Sequence, residues 1–147
     1  AAVPAPAGAV RFFLPPPAAA KVPRELYACL DWITPNETEA ELLTGVKVAD
    51  LASAQAAERV LKRRGVAHVA ITLGAKGCYA AGRIHPCVKV KAVDTVAAGD
   101  TFNGAFVVAL AEGKGVDEAI AFAQAAAALA VTRPGAQASV PFRREVR

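Results

Sequence analysis

Two aspartates and a run of small residues stand close together in the stretch AVDTVAAGDTFNGAF, residues 92–106. Asp94 and Asp100 bracket the run 97–99, and the residues that follow have the composition of a helix. Small residues let a loop bring its backbone N–H groups close to a ligand. The start of a helix adds unpaired N–H groups and the positive end of its dipole. The pattern therefore predicts an anion-binding loop at the entrance to a helix.

The second aspartate of this stretch needs a chemical reason, because a carboxylate beside an anion site repels phosphate. Asp100 fits such a site if it accepts the proton of a hydroxyl group that attacks the phosphate. A phosphoryl-transfer site needs this base together with positive dipoles where charge builds on the transferred group. The alternative is that Asp100 only caps the helix. The stretch by itself leaves both interpretations open.

A buried strand runs into a glycine-containing turn in VAITLGAKG, residues 69–77. Thr72 and Lys76 are available there as polar contacts. In an open α/β sheet, ligands lie outside the carboxyl ends of the strands. The stretch lacks both the P-loop pattern and GxGxxG, so a nucleotide site here is of another kind. An ordinary strand and turn is the alternative.

A third stretch, ITPNETEAELLTG, covers residues 33–45 and contains the pair Asn36 and Glu39. This N-x-x-E pattern is typical of a capping box, in which the first residue begins a helix and the glutamate folds back onto it. The functional alternative is that the pair orders water around a magnesium–phosphate group, since magnesium often keeps its waters.

The elements that must position these residues alternate between strand and helix along the chain. Apolar β-rich runs predict strands, and polar starts with glycine ends predict helices. The predicted strands are Val10–Leu14, Asp31–Thr34, Val66–Leu73, Cys78–Ala81 and Val88–Val93. The predicted helices are Pro23–Leu30, Asn36–Leu43, Asp50–Arg64, Asp100–Ala111 and Val116–Thr132. This order predicts an α/β fold with a mostly parallel sheet.

Composition narrows the class of protein. The chain has 147 residues and a net charge of +4, and its basic residues are scattered rather than arranged in a stripe with aromatic residues. We therefore expect no nucleic-acid partner. Three cysteines without a CxxC pattern favour a reducing, cytoplasmic environment. No stretch has the length and apolarity of a membrane span, so we expect a soluble protein.

Four stretches, ITPNETEAELLTG, ITLGAKG, AVDTVAAGDTFNGA and AAAALAVTRPGAQASVP, occur in this order and account for nearly all of the chain from about Val10 onward. Together they resemble the pfkB family of carbohydrate kinases, which includes the ribokinases. The resemblance implies a Rossmann-like α/β core that transfers the γ-phosphoryl group of ATP to a sugar hydroxyl, with O5 of D-ribose as the expected acceptor.

The resemblance also implies roles for individual residues. Asp100 is the expected catalytic base. The expected anion hole consists of Ala97, Ala98 and Gly99. The positions that match nucleotide contacts are Asn36, Thr72, Gly74, Lys76, Gly77 and Gln124. Glu39 belongs to the N-x-x-E pattern that the family links to Mg²⁺.

Potassium activation is a further property that the resemblance implies. The matching positions act mostly through backbone carbonyl groups, and they are Asp94, Val96, Ala130, Arg133, Gly135 and Ser139. In this interpretation Asp94 anchors a monovalent cation whose charge helps to set the loop, while Asp100 does the chemistry.

Family members are longer than this chain, and the part without a counterpart here is their N-terminal half. That half carries the sugar-binding residues and a small β-lid that forms homodimers. We therefore predict that residues 1–147 are the C-terminal, nucleotide-binding part of a ribokinase-like domain, with a Pro/Ala-rich and partly disordered segment at 1–22. Two alternatives stay open: a family member that acts on another sugar or a nucleoside, and a truncated, catalytically inactive nucleotide-binding fragment.

Overall fold

The computed structural model describes residues 9, 12–13 and 22–146. The chain divides into two compact units, with the boundary between Ile71 and Thr72. The Pro/Ala-rich segment 1–22 lies almost wholly outside the described residues, so its expected disorder stays a prediction. Only residues 12–13 of the strand predicted at 10–14 are described, and they do form a strand.

The first unit is built on three parallel strands with helices between them. Its elements in chain order are β1 Phe12–Phe13, α1 Arg24–Tyr27, β2 Trp32–Ile33, α2 Glu37–Thr44, α3 Leu51–Arg63 and β3 His68–Thr72, whose last residue opens the second unit. β1 pairs with β2, and β2 pairs with β3, in parallel. Parallel pairing needs a crossover connection, and helices lie in both crossovers. The predicted α/β class is therefore confirmed.

Both longer helices of this unit begin with a capping box. Asn36 precedes α2 and Asp50 precedes α3, and each side chain accepts a hydrogen bond from the backbone three residues on. Such caps satisfy N–H groups that have no partner inside the helix. The helix boundaries follow closely the ones that the sequence predicts.

One face of α3 is buried in the first unit. Ala54, Ala57 and Leu61 recur at helical spacing and have no exposed surface. The apolar run 69–71 of β3 is buried as well. Both elements therefore contribute to the core of the first unit.

The second unit contains a short hairpin and two long helices. Its elements are β4 Cys78–Ala80, β5 Arg83–His85, α4 Ala98–Ala111 and α5 Val116–Val131, with single 3₁₀ turns at Gly74–Lys76 and Arg143–Glu145. β4 and β5 are antiparallel. The helices α4 and α5 pack against each other and bury small and aromatic side chains such as Phe106 and Ala123.

The strand predicted at Val88–Val93 is wrong. The partner of β4 is β5, and residues 86–92 have no regular secondary structure. Ala81 and Gly82 both have positive φ, 51° and 81°, so that two residues suffice to reverse the chain. Pro86 then follows β5 and lacks the N–H group that would continue the ladder. Among the described residues, no helix is long and apolar enough to cross a membrane.

Candidate active site

Helix α4, which carries Asp100, begins two residues earlier than predicted. Its N-cap is Ala97, and no side chain of the described residues forms a capping hydrogen bond there. Asp100 is therefore the third helical residue and not the cap, so the interpretation of Asp100 as the helix cap is wrong. Ala97 is buried, whereas Gly99 and Asp100 are exposed. An exposed carboxylate thus stands beside backbone N–H groups at the positive end of α4.

Two polar side chains just after Asp100 have buried atoms without a partner among the described residues. They are Thr101, through Oγ1, and Asn103, through Oδ1. Thr101 is only 6% exposed. Buried polar atoms normally find hydrogen-bond partners, which makes these two atoms unusual for the interior of a helix. The sequence did not single out either residue, since both fit a helix interior.

The loop ahead of α4 is joined to the segment that leaves α5. The carboxylate of Asp94 accepts hydrogen bonds from the backbone N–H of Val96 at 3.0 Å and from that of Gly135 at 3.1 Å. The carbonyl of Val131 accepts the N–H groups of Val93 at 2.7 Å and Asp94 at 3.1 Å. The structure therefore brings Asp94 and Gly135, which are 41 residues apart, into direct contact.

These hydrogen bonds also act on the charge of the carboxylate. The N–H of Val96 and then that of Gly135 stabilise the ionised form, so the pKa of Asp94 lies below its ordinary value of 3.8. Ser139 lies in the same segment as Gly135 and is turned inward. It is 1% exposed and donates through Oγ to the carbonyl of Ala136 at 2.8 Å.

The oxygen atoms around this junction have the character of cation ligands. A carboxylate and several backbone carbonyl groups are the donors that hard cations such as K⁺ prefer. Within the described part of the chain, each carboxylate oxygen of Asp94 accepts one backbone N–H group. Each oxygen can accept a second partner. The residues at this junction therefore offer the donor types that a monovalent cation uses.

Apart from Asn36, the residues matched to nucleotide contacts lie in two places of the second unit. Thr72 ends β3, and the 3₁₀ turn Gly74–Lys76 follows, with Gly74 and Lys76 exposed. The N–H of Leu73 donates to the carbonyl of Gly77 at 2.8 Å, which closes the turn. The exposed residues of this turn are accessible to a ligand.

Gln124 is held inside the protein by the hairpin. Its Nε2 donates to the backbone carbonyl of His85 at 2.8 Å, and the residue is only 7% exposed. Gly77 approaches the same carbonyl so closely that a Cβ atom there would collide with it. Gly77 and Gln124, which are far apart in the chain, therefore meet at His85, a residue to which the sequence assigned no function.

Asn36 and Glu39 lie at the start of α2, in the first unit. Glu39 N–H donates to Asn36 Oδ1 at 2.8 Å, and Asn36 N–H donates to Glu39 Oε2 at 2.9 Å. The capping-box interpretation is confirmed. Asn36 is exposed and Glu39 is half-buried, so oxygen atoms of both remain within reach of a hydrated Mg²⁺ ion.

Comparison with known proteins gives the family. A sequence model of the pfkB family carbohydrate kinases matches residues 5–143. The chain belongs to this family. The pfkB-family chain is 54% identical over 140 residues to a ribokinase of Haemophilus influenzae, a match that covers 92% of this chain and 46% of that protein. It is 45% identical over 136 residues to a ribokinase of Staphylococcus aureus, covering 88% and 45%.

Solved structures agree with this assignment. The pfkB-family chain superposes with a TM-score of 0.87 and 35% identity on Arabidopsis thaliana ribokinase complexed with ribose and ATP, over 94% of this chain and 46% of that one. With Thermotoga maritima ribokinase the TM-score is 0.82 at 43% identity, over 94% and 48%. The chain spans about half the length of the curated relatives it matches.

Proposed function

We propose that residues 1–147 form the C-terminal, nucleotide-binding part of a ribokinase-type sugar kinase. The activity of the whole protein is transfer of the γ-phosphoryl group of ATP to O5 of D-ribose. The observation that carries the proposal is the exposed Asp100 in the first turn of a helix that no described side chain caps, within a chain 54% identical to a ribokinase. The Arabidopsis ribokinase, whose structure was solved with ribose and ATP, supports this choice of substrates.

In the proposed reaction Asp100 acts as a general base. Its carboxylate accepts the proton of the sugar hydroxyl while the bond from that oxygen to the γ-phosphorus forms. The bond from the γ-phosphorus to the bridging oxygen breaks, and ADP leaves. The N–H groups at Ala97, Ala98 and Gly99 stabilise the charge that develops on the transferred group, and that of Ala98 gives up its bond to the carbonyl of Thr95 to do so.

For the nucleotide, the exposed 3₁₀ turn and its neighbours supply contacts from Thr72, Gly74, Lys76 and Gly77. Gln124 contributes from inside the protein, because its amide holds the carbonyl of His85 and with it the end of the hairpin. We propose that it shapes the wall beside the adenine through this bond. A positively charged Lys76 adds an attraction for phosphate groups.

Two kinds of cation belong to the proposal. Mg²⁺ would be held with its waters by Asn36 and Glu39. K⁺ would be held by oxygen atoms of Asp94, Val96, Ala130, Arg133, Gly135 and Ser139. When bound, these ions supply positive charge that offsets the charge of the phosphate groups. The protein's own part is to fix those oxygen atoms in place.

The remaining parts of the proposal concern the whole protein. The half of the relatives without a counterpart in this chain would supply the sugar site, and a homodimer would form through its lid. We place the protein in the cytoplasm, with ATP and a sugar as its partners. Ribokinases from two bacteria at 54% and 45% identity favour ribose over another sugar or a nucleoside.

A substitution of the proposed base tests the function. In a full-length form, Asp100→Asn should lower turnover with ribose by roughly 10²–10⁴-fold, the range of general-base catalysis, and leave MgATP affinity within about twofold. Glu118→Gln is the matched control, because Glu118 is an exposed carboxylate in the first turn of α5. Turnover that survives Asp100→Asn would refute the role of the base.

The fragment alternative requires a separate measurement on the 147-residue chain. Calorimetry with MgATP should show binding, and a ribose assay should show little turnover if the sugar site lies elsewhere. Absence of MgATP binding by the folded chain would contradict both the kinase proposal and the nucleotide-binding alternative. The intact mass of the protein in its source cell then decides whether the natural product is longer.

A further inference from the structure

The C-terminal tail closes back on the end of α5 through one ion pair. Arg133 Nη2 lies 2.7 Å from Glu145 Oε1, and Arg133 Nη1 lies 3.5 Å from Glu145 Oε2. Glu145 Oε2 also accepts the backbone N–H of Phe142 at 2.7 Å. The two side chains are about one-third exposed, at 34% and 32%. The pair is therefore two-pronged and partly shielded, which separates it from an ordinary surface pair.

This ion pair closes a loop that contains half of the proposed potassium ligands. Arg133 is one residue of the pair, and Gly135 and Ser139 lie in the chain between Arg133 and Glu145. Gly135 in the middle of this loop donates to Asp94. Ser139 is buried, and Val146 just beyond the pair is 6% exposed. The loop is thus held at Arg133 by Glu145 and by a backbone bond to Ala130, at Gly135 by Asp94 and at its far end by burial of the tail.

Loss of the pair would disconnect the tail from the Arg133 end of this loop, and that end would then be held only by α5, through the bond from the N–H of Arg133 to the carbonyl of Ala130 at 3.1 Å. A loop fixed at fewer points samples more backbone conformations, and ordering it again costs free energy. The carbonyl groups of residues 133 and 135 would then lose their common orientation. A cation needs several oxygen atoms in place at once, so its affinity falls by the fraction of molecules that hold the loop closed.

We propose that Glu145 is a positioning residue for the monovalent-cation site: through Arg133 it holds loop 133–139 in the conformation that presents its oxygen atoms together with Asp94. This inference rests on the cation part of the proposed function. It adds to that proposal a residue that contacts neither the ion nor the nucleotide. The sequence patterns indicated no role for the C-terminal tail. In this proposal the tail holds loop 133–139 against Asp94.

The same tail carries a second ion pair, which serves as the matched control. Arg143 Nη2 lies 3.1 Å from Glu112 Oε2, and its Nε lies 3.3 Å from Glu112 Oε1. Arg143 also stacks over the ring of Phe122 at 4.3 Å. This pair joins the tail to the end of α4 and includes no proposed cation ligand. Glu112→Gln and Glu145→Gln therefore each remove one carboxylate that anchors the tail, and only the second change affects the loop.

The test is a potassium titration of the chain followed by amide hydrogen exchange, with choline chloride added to keep the ionic strength constant. In the unmodified protein, K⁺ should slow exchange in segments 93–96 and 133–139. Glu145→Gln should raise the half-saturating K⁺ concentration about tenfold, the effect of a loop closed in about one molecule in ten. Glu112→Gln should leave that concentration within about twofold, because affinity changes only with the closed fraction.

A second variant keeps the test decisive if Glu145→Gln folds poorly. Arg133→Gln breaks the same pair from the other side and keeps the backbone carbonyl of residue 133. If the pair acts as a unit, the double variant should shift the K⁺ concentration no more than either single variant. Strictly additive shifts would contradict the proposal.

The remaining outcomes separate this inference from the function on which it rests. If the unmodified protein responds to K⁺ and Glu145→Gln responds at the same concentration, the positioning role is wrong and the cation site survives. If the unmodified protein shows no response to K⁺, both the positioning role and the cation site are wrong. The role of Asp100 in phosphoryl transfer is measured independently and is unaffected by either result.

Discussion

Gly77 and the carbonyl of His85 lie in a contact that excludes any side chain at position 77. A Cβ atom on Gly77 would collide with the His85 oxygen and lie 2.9 Å from the backbone nitrogen of Cys87. Gly77 also has a φ of 110°, a conformation that side chains disfavour. Backbone on both sides makes this contact, so neither side can yield by a simple rotation. The turn after β3 and the end of β5 are therefore fitted to each other.

Replacement of Gly77 by alanine should consequently destabilise the protein strongly. We expect a loss of roughly 3 kcal/mol in the free energy of unfolding, from backbone strain and overpacking together. Gly74→Ala is the control, because Gly74 has a φ of 56° and nothing within 4 Å of an added Cβ. That variant should lose only about 1 kcal/mol, from the backbone conformation alone. Urea denaturation measures both, and equal losses would contradict the packing explanation.

Replacement of Gln124 should lower the stability of the protein in addition to any effect on nucleotide binding. Gln124→Leu leaves the buried His85 carbonyl without its donor, so we expect a loss of about 1–3 kcal/mol on unfolding. Gln137→Leu, at an exposed position, should stay within about 0.5 kcal/mol of the unmodified protein. Thermal unfolding and ATP calorimetry are measured on the same samples. Full stability with weakened ATP binding would instead make Gln124 a direct contact of the base.

Glu39→Gln separates the capping role of Glu39 from its proposed role toward magnesium. Glutamine serves in a capping box as glutamate does, so the free energy of unfolding should change by less than about 0.5 kcal/mol. The loss of charge should weaken the Mg²⁺ dependence of ATP binding. Asn36→Ala should cost about 1 kcal/mol, because it removes the cap itself.

Glu41→Gln is the control for that experiment, since Glu41 lies exposed on the same helix and outside the capping box. It should change neither stability nor Mg²⁺ dependence. If Glu39→Gln behaves in the same way as Glu41→Gln, Glu39 has only a structural role. Calorimetric titration of ATP at several Mg²⁺ concentrations provides the measurement.

Acidification should weaken the junction at Asp94. Its pKa is lowered in the folded protein, chiefly by the N–H of Val96 and then by that of Gly135. A group of this kind stabilises the folded state above its unfolded pKa, and the contribution disappears as the pH falls through the folded value. The melting temperature should therefore begin to fall near pH 4, close to the ordinary pKa of an aspartate, and continue to fall below it.

The variant Asp94→Asn tests the origin of this pH dependence. It should melt at a lower temperature than the unmodified protein at pH 7, and it should lose less on acidification, because the titrating group is gone. Glu118→Gln controls for the removal of one negative charge. An acid response of Asp94→Asn equal to that of the unmodified protein would assign the effect to other carboxylates, such as Glu112 and Glu145, whose pKa values their arginine partners also lower.

Helix boundaries were predictable from the sequence where a local pattern fixes them. Asn36 and Asp50 begin their helices as predicted, because a capping residue acts on a backbone only three positions away. β3 was predictable because its apolar run has no competing helical spacing. The α/β class followed from the order of such elements alone.

The first strand of the hairpin was predicted, but its partner at Arg83–His85 was missed, because the turn between them has no strong sequence pattern. Ala81 adopts a positive φ that alanine seldom takes, so the pair Ala81–Gly82 did not predict a two-residue reversal. Alternation in Val88–Val93 favoured a strand there instead, although most of those residues are exposed and irregular.

Contacts between residues that are distant in the chain could not be predicted from the sequence, for a different reason. The bond from Gln124 to His85 joins residues 39 apart, and the pair of Arg133 with Glu145 joins residues 12 apart. Neither separation follows a helix or strand period, so only the tertiary structure reveals them. Family resemblance gave the candidate residues of the site, and the structure adds the contacts that hold several of them.

Ala97, the N-cap of α4, has no capping side chain, and this affects how the proposed anion hole at residues 97–99 tolerates mutation. A binding surface made of main-chain N–H groups is supplied by every amino acid except proline, so most substitutions at residues 97–99 leave the donors themselves intact. Added bulk is the change that would harm it, because larger side chains obstruct the approach to the helix end. Natural variation at these three positions should therefore be limited by volume rather than by chemical type, whereas the role proposed for Asp100 would require its carboxylate.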